Sequence, residues 1–303
     1  MSWRTADIPD LTGRRALVTG ATSGLGYETA LELLRHGADV IVAARNPEKS
    51  VRAAADLTAA SGGRKPEVLD LDLSDLAGVE KAADRVEGPL DLLVNNAGVM
   101  APPYRQTVDG FELQMGTNHL GHFALTARLL PRLLEAEHPR VVTVSSFMHK
   151  TVRGLSQADL RAEQSYGKWD AYGKSKLANL LFTLELDRRA RAAGSNLLSA
   201  GSHPGYARTH LQTSGPQLGG KNLEARIIGG FTGLLAQSAA AGAWPSLYAG
   251  TSAEVRPGSY FGPAFLGYRG APKVARPSRT AQDPELAQRL WKWSVEAAGV
   301  DAF

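Results

Sequence analysis

Short runs of β-branched residues and leucine recur along the chain, separated by longer stretches whose apolar positions fall every three or four residues. The runs predict strands over Ala16–Thr19, Val40–Ala44, Val68–Leu71, Leu90–Val94, Val141–Val144, Leu197–Ser202 and Ser259–Phe261. The intervening stretches predict helices, as in Tyr27–His36, where Gly37 can supply the left-handed residue that closes a helix. Strands that are apolar on both faces, each followed by a helix, imply right-handed crossovers and a parallel sheet covered on both sides. The pattern therefore predicts an α/β, doubly wound, mostly seven-stranded parallel sheet with helices on both faces.

In such sheets ligands bind beyond the carboxyl ends of the strands. The candidate chemical groups all fall there. A glycine-rich turn, Thr19 to Gly26, follows the first strand, and Asn95-Asn96-Ala97-Gly98 follows the fourth. Ser145-Ser146 follows the fifth and Pro204-Gly205 the sixth, while Tyr172 begins the next helix. The glycines are spaced Gly20-x-x-x-Gly24-x-Gly26, which lets backbone approach a pyrophosphate at a helix N-terminus. At the end of the second strand, where a carboxylate would accept the ribose 2′-hydroxyl, stand Ala43-Ala44-Arg45-Asn46. With no carboxylate there, and with Arg45 able to bond a 2′-phosphate, the expected cofactor is NADP rather than NAD. Asp72 is placed either to accept from the adenine amine or to serve as a helix N-terminal carboxylate.

Tyr172 is followed four residues later by Lys176, a spacing that puts both on one helix face. A positive charge about 4 Å from a phenol is worth roughly 4 kcal/mol at an effective dielectric of 20. That predicts a phenol pKa lowered by nearly three units, toward neutral pH.

Length and composition add limits. The 303 residues suit one dinucleotide-binding domain over 1–303, with 206–250 a substrate-pocket lid and 263–303 a C-terminal extension. Cysteine is absent, which excludes disulfides and thiol chemistry and fits a cytoplasmic location. The N-terminal MSWRTADIPDLTG lacks the apolar core of a signal peptide, and Ile227–Trp244 is too polar for a membrane span. A net charge of +4 without a basic stripe argues against nucleic acid as a partner. His119 and His122 have no third ligand at suitable spacing, so no metal is expected.

These motifs in their order resemble a short-chain dehydrogenase/reductase, closest to the retinol dehydrogenase and protochlorophyllide reductase-like branch. The resemblance is carried by TGATSGLG, AARN, LDLSDL, NNAGVM, TNHLGHF, VTVSS, AYGKSKLAN and HPGYART, from about Leu11 to the last helix. It implies a Rossmann-type fold and a catalytic group of Ser146, Tyr172, Lys176 and Asn118. Ser146 is preferred to Ser145 because the family's serine takes the second position. For the cofactor it implies Gly20, Thr22, Ser23, Gly24, Leu25, Gly26, Arg45, Asn46, Asp72, Leu73, Asn96, Ala97, Gly98, Tyr172, Lys176, Pro204, Gly205 and Thr209. The 25-residue connection from Ser146 to Tyr172 also suits that branch, with Tyr166 structural. The implied activity is NADP-dependent interconversion of a carbonyl and an alcohol on a mostly apolar small molecule, in a chain that can pair as a homodimer. A carbon–carbon double-bond reductase and a non-catalytic NADP sensor are the alternatives.

Overall fold

The computed structural model describes residues 3–206 and 237–303. Its strands are β1 (Arg15–Thr19), β2 (Asp39–Ala44), β3 (Glu67–Asp70), β4 (Leu92–Asn95), β5 (Arg140–Val144), β6 (Leu198–Ser202), β7 (Tyr260–Phe265) and β8 (Arg269–Val274). They form one sheet in the order β3-β2-β1-β4-β5-β6-β7-β8. The first seven are parallel, with Ala16 opposite Val40 on one side and Leu92 on the other. The order reverses at β1, between β2 and β4, which opens a crevice at the carboxyl edge.

Side chains alternate faces along a strand, and the core divides accordingly. Leu17, Ile41, Leu93 and Val141 pack on one side with Phe123, Phe182 and Trp291. Their neighbours Val18, Val42, Val94 and Val142 pack on the other with Leu33, Leu34, Ala243 and Leu247. The helices on these faces are α1 (Gly24–Arg35), α2 (Pro47–Ala60), α3 (Leu76–Asp84), α4 (Leu113–Met115), α5 (Gly121–Leu134), α6 (Lys168–Ala192), α7 (Ala239–Thr251) and α8 (Pro284–Ala298). Their ends carry expected signals. The Asn46 side chain caps α2 by accepting from Lys49 N at 2.9 Å. Asp283 caps α8 by accepting from Glu285 N and Leu286 N at 2.9 and 3.1 Å, and Gly299 closes that helix at φ 67°.

Two features add to the expectations. An eighth strand, β8, pairs antiparallel to β7 at the sheet edge. Its sequence, Arg269-Gly-Ala-Pro-Lys-Val274, has no buried run, because an edge strand half open to water needs none. The second concerns the segment 206–250, which the structure describes only in part. Residues 207–236, with Thr209, lie outside the described residues. In the helix that follows, α7, Ala243, Leu247 and Ala249 are buried in the core beside Val18 and Val142. Most of the Ile227–Trp244 stretch falls outside the described residues. Among those described, no helix is long and apolar enough to cross a membrane.

Candidate active site

The glycine turn leaves β1 with Gly20 and Gly24 at φ 67° and 58°, a region closed to most side chains. An ideal Cβ on Gly26 would lie 2.5 Å from the Gly20 carbonyl oxygen and 2.5 Å from Asn96 Nδ2. The N-terminus of α1 is thereby pressed against the turn. Ser23, the residue before α1, makes no side-chain cap, leaving first-turn N–H groups for a ligand. Asn96 and Ala97 hold the floor of this crevice. Their N–H groups both donate to Thr19 Oγ1 at 2.9 Å, and Asn96 Nδ2 donates to the Thr19 carbonyl at 2.8 Å.

Histidine tautomers follow from the same network. His122 Nδ1 lies 3.0 Å from the Asn118 carbonyl and must donate to it, so Nε2 accepts from the Thr19 hydroxyl at 2.9 Å. His119 is engaged too, with Nε2 2.8 Å from Ser294 Oγ. Burial pushes the pKa of His119 down to about 3 and that of His122 to about 4. Both are neutral structural groups.

At the end of β2, Arg45 is exposed with its Nε 4.0 Å from Asp72 Oδ2. Asp72 Oδ1 accepts from Ser74 N and Oγ at 2.9 and 2.6 Å, so one of its oxygens serves the turn into α3. Asn46 gives its side-chain oxygen to the cap of α2. Leu73 is buried against Gly121, where a Cβ would run into the Leu73 carbonyl oxygen.

The four residues assigned to catalysis meet at this edge. Ser146 follows β5, its Oγ accepting from Met148 N at 3.3 Å, and its hydroxyl acts on the Tyr172 phenol to favour the ionised form. Ser145 does different work, with Oγ donating to the Lys176 carbonyl at 2.7 Å, which ties β5 to α6. Asn118 sits in a π-helical turn, Gly116–Leu120, between α4 and α5. Its Oδ1 accepts from Val99 N at 2.7 Å, while Nδ2 donates to the Val99 carbonyl at 3.0 Å and to Ser175 Oγ at 2.9 Å. The wide turn thus anchors the loop after β4 and reaches the residue beside Lys176. A Cβ on Gly98 would lie 3.0 Å from Asn118 Oδ1 and 3.6 Å from Lys176 Nζ, so these groups adjoin.

The electrostatics differ from the sequence-based arithmetic. Lys176 Nζ donates to the Val144 carbonyl at 3.0 Å and lies 5.9 Å from the centre of the Tyr172 ring. Both residues are buried. Loss of water pushes the Tyr172 pKa up to about 12, the Ser146 hydroxyl only partly opposing it, and pushes the Lys176 pKa down to about 8. The phenol is therefore raised by desolvation, not lowered by its neighbour.

Sequence reasoning missed the aromatic wall beside these groups. The Phe147 ring lies 4.6 Å from His203 and 5.5 Å from Tyr268, and His203 lies 5.2 Å from Tyr260. Phe147 adjoins Ser146 and His203 adjoins Pro204, a proximity that was the available signal. Gly205, at φ 64°, sits against the β7–β8 turn, and Tyr206 N donates to the Tyr268 carbonyl at 3.1 Å. Tyr166 is structural, as expected, with Oη donating to the Pro102 carbonyl at 2.7 Å.

Comparison with known proteins agrees with this geometry. The family model for short chain dehydrogenases matches residues 14–217. Human retinol dehydrogenase 13 is 38% identical over 98% of this chain and 87% of its own. Mouse polyprenol dehydrogenase is 37% identical with the same shares, 98% and 87%. Among solved structures, an uncharacterized protein of Mycobacterium paratuberculosis matches at a TM-score of 0.83 and 43% identity over all of both chains. A short chain dehydrogenase of Shigella flexneri, complexed with NADP, matches at 0.62 and 26% identity over 83% of this chain and 97% of its own. The chain belongs to the short-chain dehydrogenase/reductase family, in the branch of the retinol dehydrogenases, and is an oxidoreductase of the carbonyl–alcohol type.

Proposed function

We propose that the protein is an NADP-dependent oxidoreductase that interconverts a carbonyl and an alcohol on a mostly apolar small molecule, with Tyr172 moving the proton. The carrying observation is a buried phenol, with Lys176 Nζ 5.9 Å from its ring centre, on the same edge as a glycine turn whose helix N-terminus has no side-chain cap. The crevice fits a dinucleotide. The turn has no room for a Cβ at Gly26, and no side-chain cap competes for the α1 N-terminus. Arg45, exposed at the end of β2, suits the 2′-phosphate of NADP, and the Shigella relative carries that cofactor. When bound, the dinucleotide supplies or accepts the hydride.

The chain's own groups then divide the remaining work. Ser146 holds the substrate oxygen as negative charge builds on it, an oxyanion-hole contribution. A phenol with its pKa pushed up to about 12 stays protonated at neutral pH and donates its proton to that oxygen. This charge state favours the direction of carbonyl reduction. Lys176, with its pKa near 8, carries its positive charge below that pH and supports the developing alkoxide from behind the tyrosine. The aromatic wall of Phe147 and Tyr268 offers an apolar flank to the substrate.

Tyr172→Phe tests the reading. Turnover of a carbonyl panel, followed at the nicotinamide absorbance, should fall by about 10²–10⁴-fold while NADP affinity changes by less than about threefold. Retention of near-normal turnover, or tighter binding of NAD than of NADP, would overturn it. Product analysis separates alcohol formation from reduction of a carbon–carbon double bond.

A further inference from the structure

The amino edge of the sheet, opposite the glycine turn and Tyr172, holds a second concave site. Arg15 begins β1, Arg140 begins β5, and Asp91 immediately precedes β4. With Arg14, Asp10 and His138 these residues line a cavity of about 290 Å³ whose apolar part includes Leu33 and Leu92. That volume is at the small end of ligand pockets, roughly 300–1,000 Å³.

The acids around it are already engaged. Asp91 Oδ1 accepts from Arg14 Nη1 at 2.7 Å, and its Oδ2 accepts from Arg15 N at 2.8 Å. Asp10 Oδ1 accepts from Thr12 N and Oγ1 at 3.0 and 2.7 Å. Arg15 turns away, to Glu67 Oε2 at 2.8 Å and to the Glu87 carbonyl. Arg140 is left without a carboxylate among the described residues. Its Nη1 donates to the carbonyls of Ser252 and Ala249, at 2.8 and 3.2 Å, where α7 ends. Neither Nε nor Nη2 has an acceptor among the described residues. Burial first, and then the neighbouring Arg14, depress the Arg140 pKa; Arg14 has Asp91 as its counter-ion, whereas Arg140 has no carboxylate of its own among the described residues. A guanidinium does not escape by losing its proton. Relief comes from an anion, and two adjacent N–H donors in one plane match two oxygens of one carboxylate or phosphate.

We propose that this cavity binds a small ligand carrying one carboxylate or phosphate group, its oxygens on Arg140 and its apolar part on Leu33 and Leu92. The bound aspartates select against larger polyanions. The site stands apart from the dinucleotide crevice across the full length of the strands, so occupancy of one leaves the other open.

The probes are sodium phosphate and sodium acetate, each titrated calorimetrically into the protein saturated with NADP, at constant ionic strength in chloride. Saturation with NADP occupies the cofactor's own phosphate sites. One probe should bind saturably at a single site, and which one binds identifies the ligand class. Arg140→Gln should weaken that binding about tenfold or more with NADP affinity changed less than about twofold. Because Arg140 also holds the end of α7, His138→Glu at the exposed rim gives a second reading. Its carboxylate should weaken the probe by about fivefold or more through repulsion and competition for Arg140. Absence of saturable binding of both probes, or binding undiminished in whichever variant folds, overturns the proposal.

Discussion

Lys176 carries a positive charge into a buried place, and the cost of doing so is visible in its pKa of about 8, down from 10.5. A folded pKa below the unfolded one means that the unfolded chain binds more protons between those values. Stability is thus reduced by the full amount below about pH 8 and recovers as pH rises toward 10.5. At about 1.4 kcal/mol per unit the burden is on the order of 3 kcal/mol. Lys176→Met should therefore raise unfolding stability at pH 7 by up to about 3 kcal/mol, the advantage disappearing above pH 10.5 in denaturant titrations. The same variant should lose turnover, and the wild-type rate of carbonyl reduction should fall as pH rises through about 8. A variant less stable at pH 7 would show that the bond from Nζ to Val144 O outweighs desolvation. The pairing of Tyr172 with Lys176 was legible in their spacing. The direction of the phenol's shift was not, because desolvation depends on chain segments distant in sequence. Phe147, His203 and Tyr260 close round the site from the ends of β5, β6 and β7, and no local pattern announces that.

Elements bring these residues to one edge. The turn between β1 and α1 was readable from glycine spacing, since only a residue without Cβ tolerates a backbone oxygen so near. Gly26→Ala would place a methyl 2.5 Å from Gly20 O. Backbone cannot yield there as a side-chain tip can, so a loss of about 1–3 kcal/mol is expected, with dinucleotide affinity falling with it. Gly154→Ala, which meets nothing within 4 Å, is the control and should leave both unchanged. Thermal unfolding and cofactor titration read the pair. Asn118 was legible from its motif, but the π-helical turn that carries it was not. Its width is decided by the bonds of Asn118 to Val99 and Ser175, two partners 19 and 57 residues away. Strand β8 escaped because an edge strand lacks the buried run by which the others were recognised.

At the scale of the molecule, four buried histidines couple both sides of the site to the rest of the fold. His119 and His122 stand on the π-turn and α5, His149 after β5, and His203 after β6, all 2% exposed or less. Their pKa values are pushed down to between about 3 and 4, from 6.5. Each is neutral in the folded chain and takes up a proton on unfolding below pH 6.5, so stability falls as pH drops from 6.5 toward 4. By pH 4 each costs about 3 kcal/mol, and a few such terms rival the ~5–15 kcal/mol of a typical domain. Cooperative acid unfolding should appear between pH 6 and 4 by circular dichroism, and His149→Asn should move its midpoint to lower pH. An unchanged midpoint would show that His149 titrates normally. By itself the sequence determined the alternation of strand and helix, the two-faced core and the edge on which the chemistry gathers. Those rest on side-chain periodicity and glycine dihedrals, which act within a few residues. Tertiary structure alone decided the charge states of Tyr172 and Lys176, the bond that ties Ser145 to α6, and the arginine at the far edge that has no carboxylate among the described residues. Each of these depends on which distant groups exclude water or offer a partner, and that is known only once the chain has closed on itself.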